Sequence, residues 1–235
     1  MRVCLFGLTG FGNTTLVELT KAPMVSDVFV FTREEKGEFP YYDCEHLMKL
    51  CTRLRVKALI YEEMSSSEID KVLKAFRPDM ILVATFDHRI PGRIIDCPEM
   101  GAINIHPSLL PQYRGPTPTQ WTIFHGEIES GVTFHLLDEQ FDMGGILFQK
   151  SISIDGLIDG EVRRRLAQLS GEMLQPFLEM YVRGGIEVRA QRKDEGSYYP
   201  KVTSKEGIAL IKSGRFGRDN LVRGLTPYPG IGILE

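Results

Sequence analysis

Asn104 and His106 stand two residues apart in the segment GAINIH, and a lone carboxylate, Asp142, follows in FDMGGIL. An amide donor, an imidazole base and a carboxylate are the groups needed to move an acyl unit onto an amine. The amide steadies an oxyanion, the imidazole carries a proton, and the carboxylate orients the imidazole. Alternation along a strand puts the Asn104 and His106 side chains on one face, ~6–7 Å apart. Pro107 ends that strand, so His106 falls at its carboxyl end, the edge where open α/β sheets bind ligands. The run that follows, HPSLLPQYRGPTPTQW (residues 106–121), is stiffened by Pro107, Pro111, Pro116 and Pro118 and carries Tyr113 and Arg114. Both are suited to gripping an anionic or ring-bearing ligand. Trp121, in the helix-like TQWTIFHG, reads as a core anchor. Gly144 and Gly145 allow a tight turn beside Asp142, although a loop aspartate alone is more often only a turn residue. His135, mid-strand, reads as a buried partner residue, and His46, His88 and His125 as surface or helix-end positions.

Short apolar runs at residues 2–7, 27–32, 56–61, 79–85 and 101–105 alternate with helical patterns, among them 43–54 and a helix over 65–76 opened by Ser65 and Glu68. That order predicts an α/β fold, a mostly parallel sheet with helices on both faces. Later strands are expected at 132–137 and 145–154, and a long helix at 160–182, bent at Pro176. The pattern weakens after Gly184-Gly185. Residues 1–185 are therefore read as one catalytic domain, and 186–235 as a small C-terminal extension packed on the main sheet.

The 235 residues are 43% hydrophobic and 25% charged, enough for one well-buried domain, and the net charge of -3 gives no global field for a polyanion. Cys4, Cys44, Cys51 and Cys97 show neither a disulfide framework nor metal-ligand spacing. No stretch is apolar enough to span a membrane, and a cytoplasmic protein is expected. TGFGN after the first strand supplies Gly7, Gly10 and Gly12 as G-x-x-G-x-G, which is not the dinucleotide fingerprint, and Glu18 falls too early to hold a ribose. It is read as a strand-to-helix turn lining a pocket, and NAD is not expected.

Asn104, His106 and Asp142, with SLLPQYRG and GVTFHLLDEQFDMGGIL, resemble the folate-dependent formyltransferases. The family includes methionyl-tRNA, glycinamide ribonucleotide and amino-sugar formyltransferases. The likeness runs along essentially the whole chain and is strongest over residues 85–149. It implies a Rossmann-like formyltransferase fold, 10-formyltetrahydrofolate as donor, no metal, and a catalytic triad of Asn104, His106 and Asp142. It further implies a donor pocket at Phe86, Arg89 and Ile90 and at Leu137, Asp138 and Phe141. Gly10, Tyr113, Arg114 and Tyr198 are expected on the acceptor side. TGFGN departs from the G-x-G-S-N loop of the glycinamide ribonucleotide enzymes.

The tRNA enzymes of the family carry a second, C-terminal β domain and a basic early loop. Here the sequence stops at Glu235, and the early loop REEKGEFPYYD is acidic on balance, which repels a phosphate backbone. The expected acceptor is therefore the primary amine of a nucleotide-linked amino sugar, with Tyr198 or Tyr199 available to stack a base and Lys201 nearby. Methionyl-tRNA, acted on by a longer natural chain of which Leu234-Glu235 is an artificial end, is the second reading. Hydrolysis of the donor by water and a non-catalytic folate- or nucleotide-binding module are the others. The apolar end GLTPYPGIGIL is a candidate homodimer interface.

Overall fold

The computed structural model describes residues 1–35, 42–138 and 140–230. Most of the acidic early loop and the last part of the apolar tail lie outside these residues. Seven strands form one sheet: β1 (Arg2–Gly7), β2 (Asp27–Thr32), β3 (Lys57–Ile60), β4 (Met80–Ala84), β5 (Ala102–His106), β6 (Glu129–Leu136) and β7 (Ile146–Ser153). Their spatial order is β3-β2-β1-β4-β5-β6-β7. The first five run parallel; β6 is antiparallel to both β5 and β7.

Side-chain alternation divides the core between the two faces. Val3, Leu5, Leu82, Ile103 and Ile105 point to one side, against α1 (Phe11–Lys21), α2 (Leu47–Leu54) and α6 (Asp159–Val182). Cys4, Phe6, Ile81, Val83 and Ala102 point to the other, against α3 (Ser66–Phe76) and α4 (Gly92–Ile95). Helices on both faces explain the near-continuous apolar strands of the parallel half. On β5, Asn104 and His106 share the parity of Ala102, so the polar pair continues the α3/α4 face.

The Ser65 cap is present: its hydroxyl accepts from the Glu68 N–H and the Glu68 carboxylate accepts from the Ser65 N–H at 2.8 Å. α2 starts at Leu47, four residues later than the expected Asp43, and α6 runs on through Pro176. The largest departure is the C-terminal extension. Residues 186–200 run beside β7 and the 113–115 loop, with bridges Ile146↔Arg189 and Arg114↔Tyr198. Two helices follow, α7 (Ser204–Ser213) and α8 (Arg218–Gly224). They pack on α5 (Pro118–Phe124), so only the first part of the extension lies against the main sheet. Trp121, Phe124, Val202, Leu221 and Leu225 form a separate small core there. Trp121 is the anchor expected of it, its indole N–H donating to the Pro200 carbonyl at 2.8 Å.

Ile105 is 1% exposed and holds β5 to the α1/α6 core between the two polar residues. Ile105→Ala is expected to cost ~2–5 kcal/mol of unfolding free energy through the lost contacts and the cavity left. Urea denaturation checks this, and an unchanged midpoint would contradict the packing described.

Candidate active site

β5 delivers Asn104 and His106 to the carboxyl edge of the sheet, and Pro107 releases the chain into a loop that is pinned from two neighbouring strands. Thr133 of β6, opposite His106 in the ladder, donates its hydroxyl to the Ser108 carbonyl at 2.6 Å and accepts from the Leu110 N–H at 3.1 Å. Gln149 of β7 donates to the Leu110 carbonyl at 2.7 Å. The loop then presents the Tyr113 carbonyl to His106 Nε2 at 3.1 Å. It also presents the Gly115 N–H to Asp142 Oδ2 at 2.8 Å.

The three sequence-predicted groups come together around one carboxylate oxygen. Asp142 Oδ1 lies 3.4 Å from His106 Nδ1 and 3.5 Å from Asn104 Nδ2. His106 is 4% exposed, and the Asp142 side chain retains 13%. Both nitrogens of His106 face acceptors, so the imidazolium formed when the ring takes a proton finds a partner for each N–H.

His135, opposite Asn104 on β6, is the fourth member. Its Nδ1 donates to the Leu136 carbonyl at 2.8 Å, which leaves a lone pair on Nε2. That lone pair accepts from Asn104 Nδ2 at 3.0 Å. This assigns the tautomer from partners that can only accept and fixes which way the Asn104 amide points. Burial pushes the His135 pKa down to about 4, despite the opposing pull of the Asp142 charge. The sequence marked His135 as a buried partner but not whose partner; the cross-strand register supplies that.

Three non-glycine residues at this edge take left-handed backbone: Thr85 (φ 54°) just after β4, Tyr113 (φ 59°) and Asp142 (φ 57°). Such positions cost ~1–3 kcal/mol each and persist where surrounding contacts over-determine them. The Asp142 turn also depends on Gly144, where a Cβ would lie 1.8 Å from the Leu136 carbonyl oxygen.

All six residues expected on the donor side, Phe86, Arg89, Ile90, Leu137, Asp138 and Phe141, line one cavity of about 100 Å³ that ends on Asn104 and Asp142. His88, read from the sequence as a surface or helix-end position and with its side chain 38% exposed, lines its rim too, facing Asp87 and Glu62. A larger groove of about 590 Å³ between α1, α2 and α6 contains none of the triad.

The expected acceptor-side residues separate. Tyr198 is 61% exposed, and its ring edge lies against Gly115. Tyr113 contributes chiefly its carbonyl; its ring stacks on Tyr199, which stacks on Trp121, and its hydroxyl donates to Glu127 at 2.7 Å. Arg114 is corrected. Only 6% exposed, it directs its guanidinium inward, to the Gln191 side-chain oxygen at 2.9 and 3.1 Å and to the Glu195 carbonyl at 3.0 Å. A cation so committed to the extension is not positioned to grip a ligand. Gly10 (φ 97°) is also covered: a Cβ there would lie 2.3 Å from the Tyr42 ring. Among the described residues no cluster of His, Cys, Asp or Glu is arranged to hold a metal ion, and no helix is long and apolar enough to cross a membrane.

A Rossmann-like sheet thus carries Asn104, His106 and Asp142 together at its carboxyl edge. The sequence model of the formyl transferase family matches residues 13–176. The methionyl-tRNA formyltransferase of Caldanaerobacter subterraneus subsp. tengcongensis is 33% identical over 233 residues, 98% of this chain and 75% of that protein. The Clostridioides difficile enzyme of the same name is 36% identical over 163 residues, 68% of this chain and 52% of that protein. Among solved structures, the N-formyltransferase from Helicobacter canadensis in complex with folinic acid and dTDP-3-aminofucose superposes with a TM-score of 0.68. It is 20% identical and covers 95% of this chain and 80% of its own. The chain belongs to the formyl transferase family.

A buried neutral His135 ties stability to pH. In the unfolded chain its pKa is near 6.5, and in the folded protein about 4. The contribution is fully present above pH ~6.5 and is lost as pH falls towards ~4, because only the unfolded chain takes up the proton there. His135→Gln should flatten that part of a melting-temperature profile; an unchanged slope would contradict the assignment.

Proposed function

We propose that this protein transfers the formyl group of 10-formyltetrahydrofolate to a primary amine, most consistently that of a small nucleotide-linked amino sugar. The observation that carries the transfer reading is the convergence of Asn104, His106 and His135 on Asp142 at the mouth of a ring-lined cleft. The donor's pterin enters the cleft lined by Phe86, Arg89, Ile90, Leu137, Asp138 and Phe141. The acceptor nitrogen attacks the formyl carbon, and the carbonyl oxygen becomes an oxyanion. One Asn104 N–H is held by His135; the other turns to that oxygen. His106 takes the proton lost by the amine on Nε2 and returns it to the departing folate nitrogen, while Asp142 accepts from Nδ1–H and orients the ring.

The small-acceptor reading rests on Tyr198, an exposed aromatic face beside Gly115, whose N–H holds the catalytic carboxylate. A nucleobase stacked there is worth ~1–3 kcal/mol by analogy with other base-aromatic contacts. The Helicobacter canadensis enzyme, crystallised with a nucleotide-linked amino sugar, shares the fold. Methionyl-tRNA is the second reading. A third of positions match methionyl-tRNA formyltransferases along nearly the whole chain, and Lys201, Lys205, Lys212, Arg215 and Arg218 are exposed on the extension.

Tetrahydrofolate release from 10-formyltetrahydrofolate, measured with no acceptor, with nucleotide-linked amino sugars and with methionyl-tRNA, separates these readings. Release with one sugar alone supports the first, release with methionyl-tRNA alone supports the second, and acceptor-independent release makes the protein a hydrolase. His106→Ala and Asn104→Ala should each lose ~10²–10⁴-fold in turnover with the fold kept. Near wild-type turnover in either variant would remove these roles.

A further inference from the structure

We propose that Gln191, in the extension beyond the family match, is a positioning residue that sets the catalytic geometry by tying the Tyr113–Gly115 loop to the Asp142 turn. The inference rests on the formyl-transfer reading.

All the hydrogen-bonding capacity of this one amide is spent between the two loops. Gln191 Oε1 accepts from Arg114 Nε at 3.1 Å and from Arg114 Nη2 at 2.9 Å. Gln191 Nε2 donates to the backbone carbonyls of Asp142 at 2.9 Å and Gly144 at 2.7 Å. An amide offers two donors and two lone pairs, and here all four are used. Both loops contribute to the triad. The first gives the Tyr113 carbonyl to His106 and the Gly115 N–H to Asp142 Oδ2; the second gives Asp142 itself.

Both loops also carry a non-glycine residue in left-handed backbone, Tyr113 and Asp142. Turns of that kind relax unless something holds them. Gln191 grips the residue after Tyr113 and the carbonyl of Asp142, next to both strained positions. Arg114 then has a purpose that its burial denies it as a ligand: it is the other half of the clamp, anchored further to the Glu195 carbonyl at 3.0 Å. The extension is thereby part of the catalytic apparatus and not an appendage to it.

The substitutions Gln191→Met and Gln191→Glu separate the two sides of the clamp. Glutamate still accepts from Arg114 but has no N–H for the Asp142 and Gly144 carbonyls; methionine loses both. A displacement on the order of 1 Å at a catalytic group costs up to ~100-fold in rate. Both variants should therefore lower kcat by about 10–100-fold while the donor KM moves much less. In an Asp142→Asn background, Gln191→Met should add little further loss, because residues acting as one unit are not additive. Amide hydrogen exchange at residues 113–115 and 140–145 should speed up in both variants, and this readout needs no turnover. Wild-type kcat in Gln191→Glu would overturn the proposal. So would unchanged exchange at these loops, or a Gln191→Met loss that adds fully to Asp142→Asn and follows the fall in melting temperature. A wild-type protein inactive with every acceptor would instead remove the transfer reading, leaving the exchange arm to decide the positioning.

Discussion

The Asp142 carboxylate is the constraint on which the site depends. One oxygen is fixed by the Gly115 N–H at 2.8 Å, and the other is left facing His106, Asn104 and His135 at 3.4, 3.5 and 3.8 Å. A largely buried anion needs donors, and these come from the loop after β5, through Gly115, and from the end of β5, through Asn104 and His106; β6 reaches it only through His135, which accepts from Asn104. Satisfying it brings those elements to one point. The distances to His106, Asn104 and His135 are longer than ideal hydrogen bonds. The fixed side is short. The carboxylate is thus anchored by backbone and open towards chemistry.

The sheet explains why such a convergence occurs at this edge. Five parallel strands end together, and β4 and β5 turn away from the sheet at Thr85 and Pro107. The antiparallel β6 returns alongside β5 and sets His135 opposite Asn104. Cross-strand register therefore does at the site what a sequence motif cannot: it pairs residues far apart in the chain. The neutral state of His135 follows from its burial, and its neutrality is what lets it accept from the asparagine amide. Were it protonated, Nε2 would donate, and the amide would lose the partner that aims it.

Much of this was legible in the sequence because the physics is local. Alternating Asn104 and His106 on an apolar strand stopped by Pro107 fixed their common face and their edge position. Ser65 and Glu68 marked a helix start through a cap made within four residues. Trp121 was readable as an anchor from its place in a helix-like segment beside Ile123 and Phe124. Arg114 was misjudged because its partners, Gln191 and Glu195, lie far along the chain and no short pattern announces a buried cation. The first part of the extension lies against β7 at the sheet edge, but its helices pack on α5, because Val202, Leu221 and Leu225 find Trp121 and Phe124, a match of surfaces and not of periodicity. Tyr42, whose ring closes over Gly10, was silent for the same reason.

Asp142 is proposed to organise His106 for proton transfer. The most direct test is the single-turnover rate of formyl transfer by Asp142→Asn, which keeps size and the Gly115 contact but removes the charge. A fall of about 100-fold or more is expected, with the melting temperature little changed. A rate within a few-fold of wild type would mean that the carboxylate is a turn residue only.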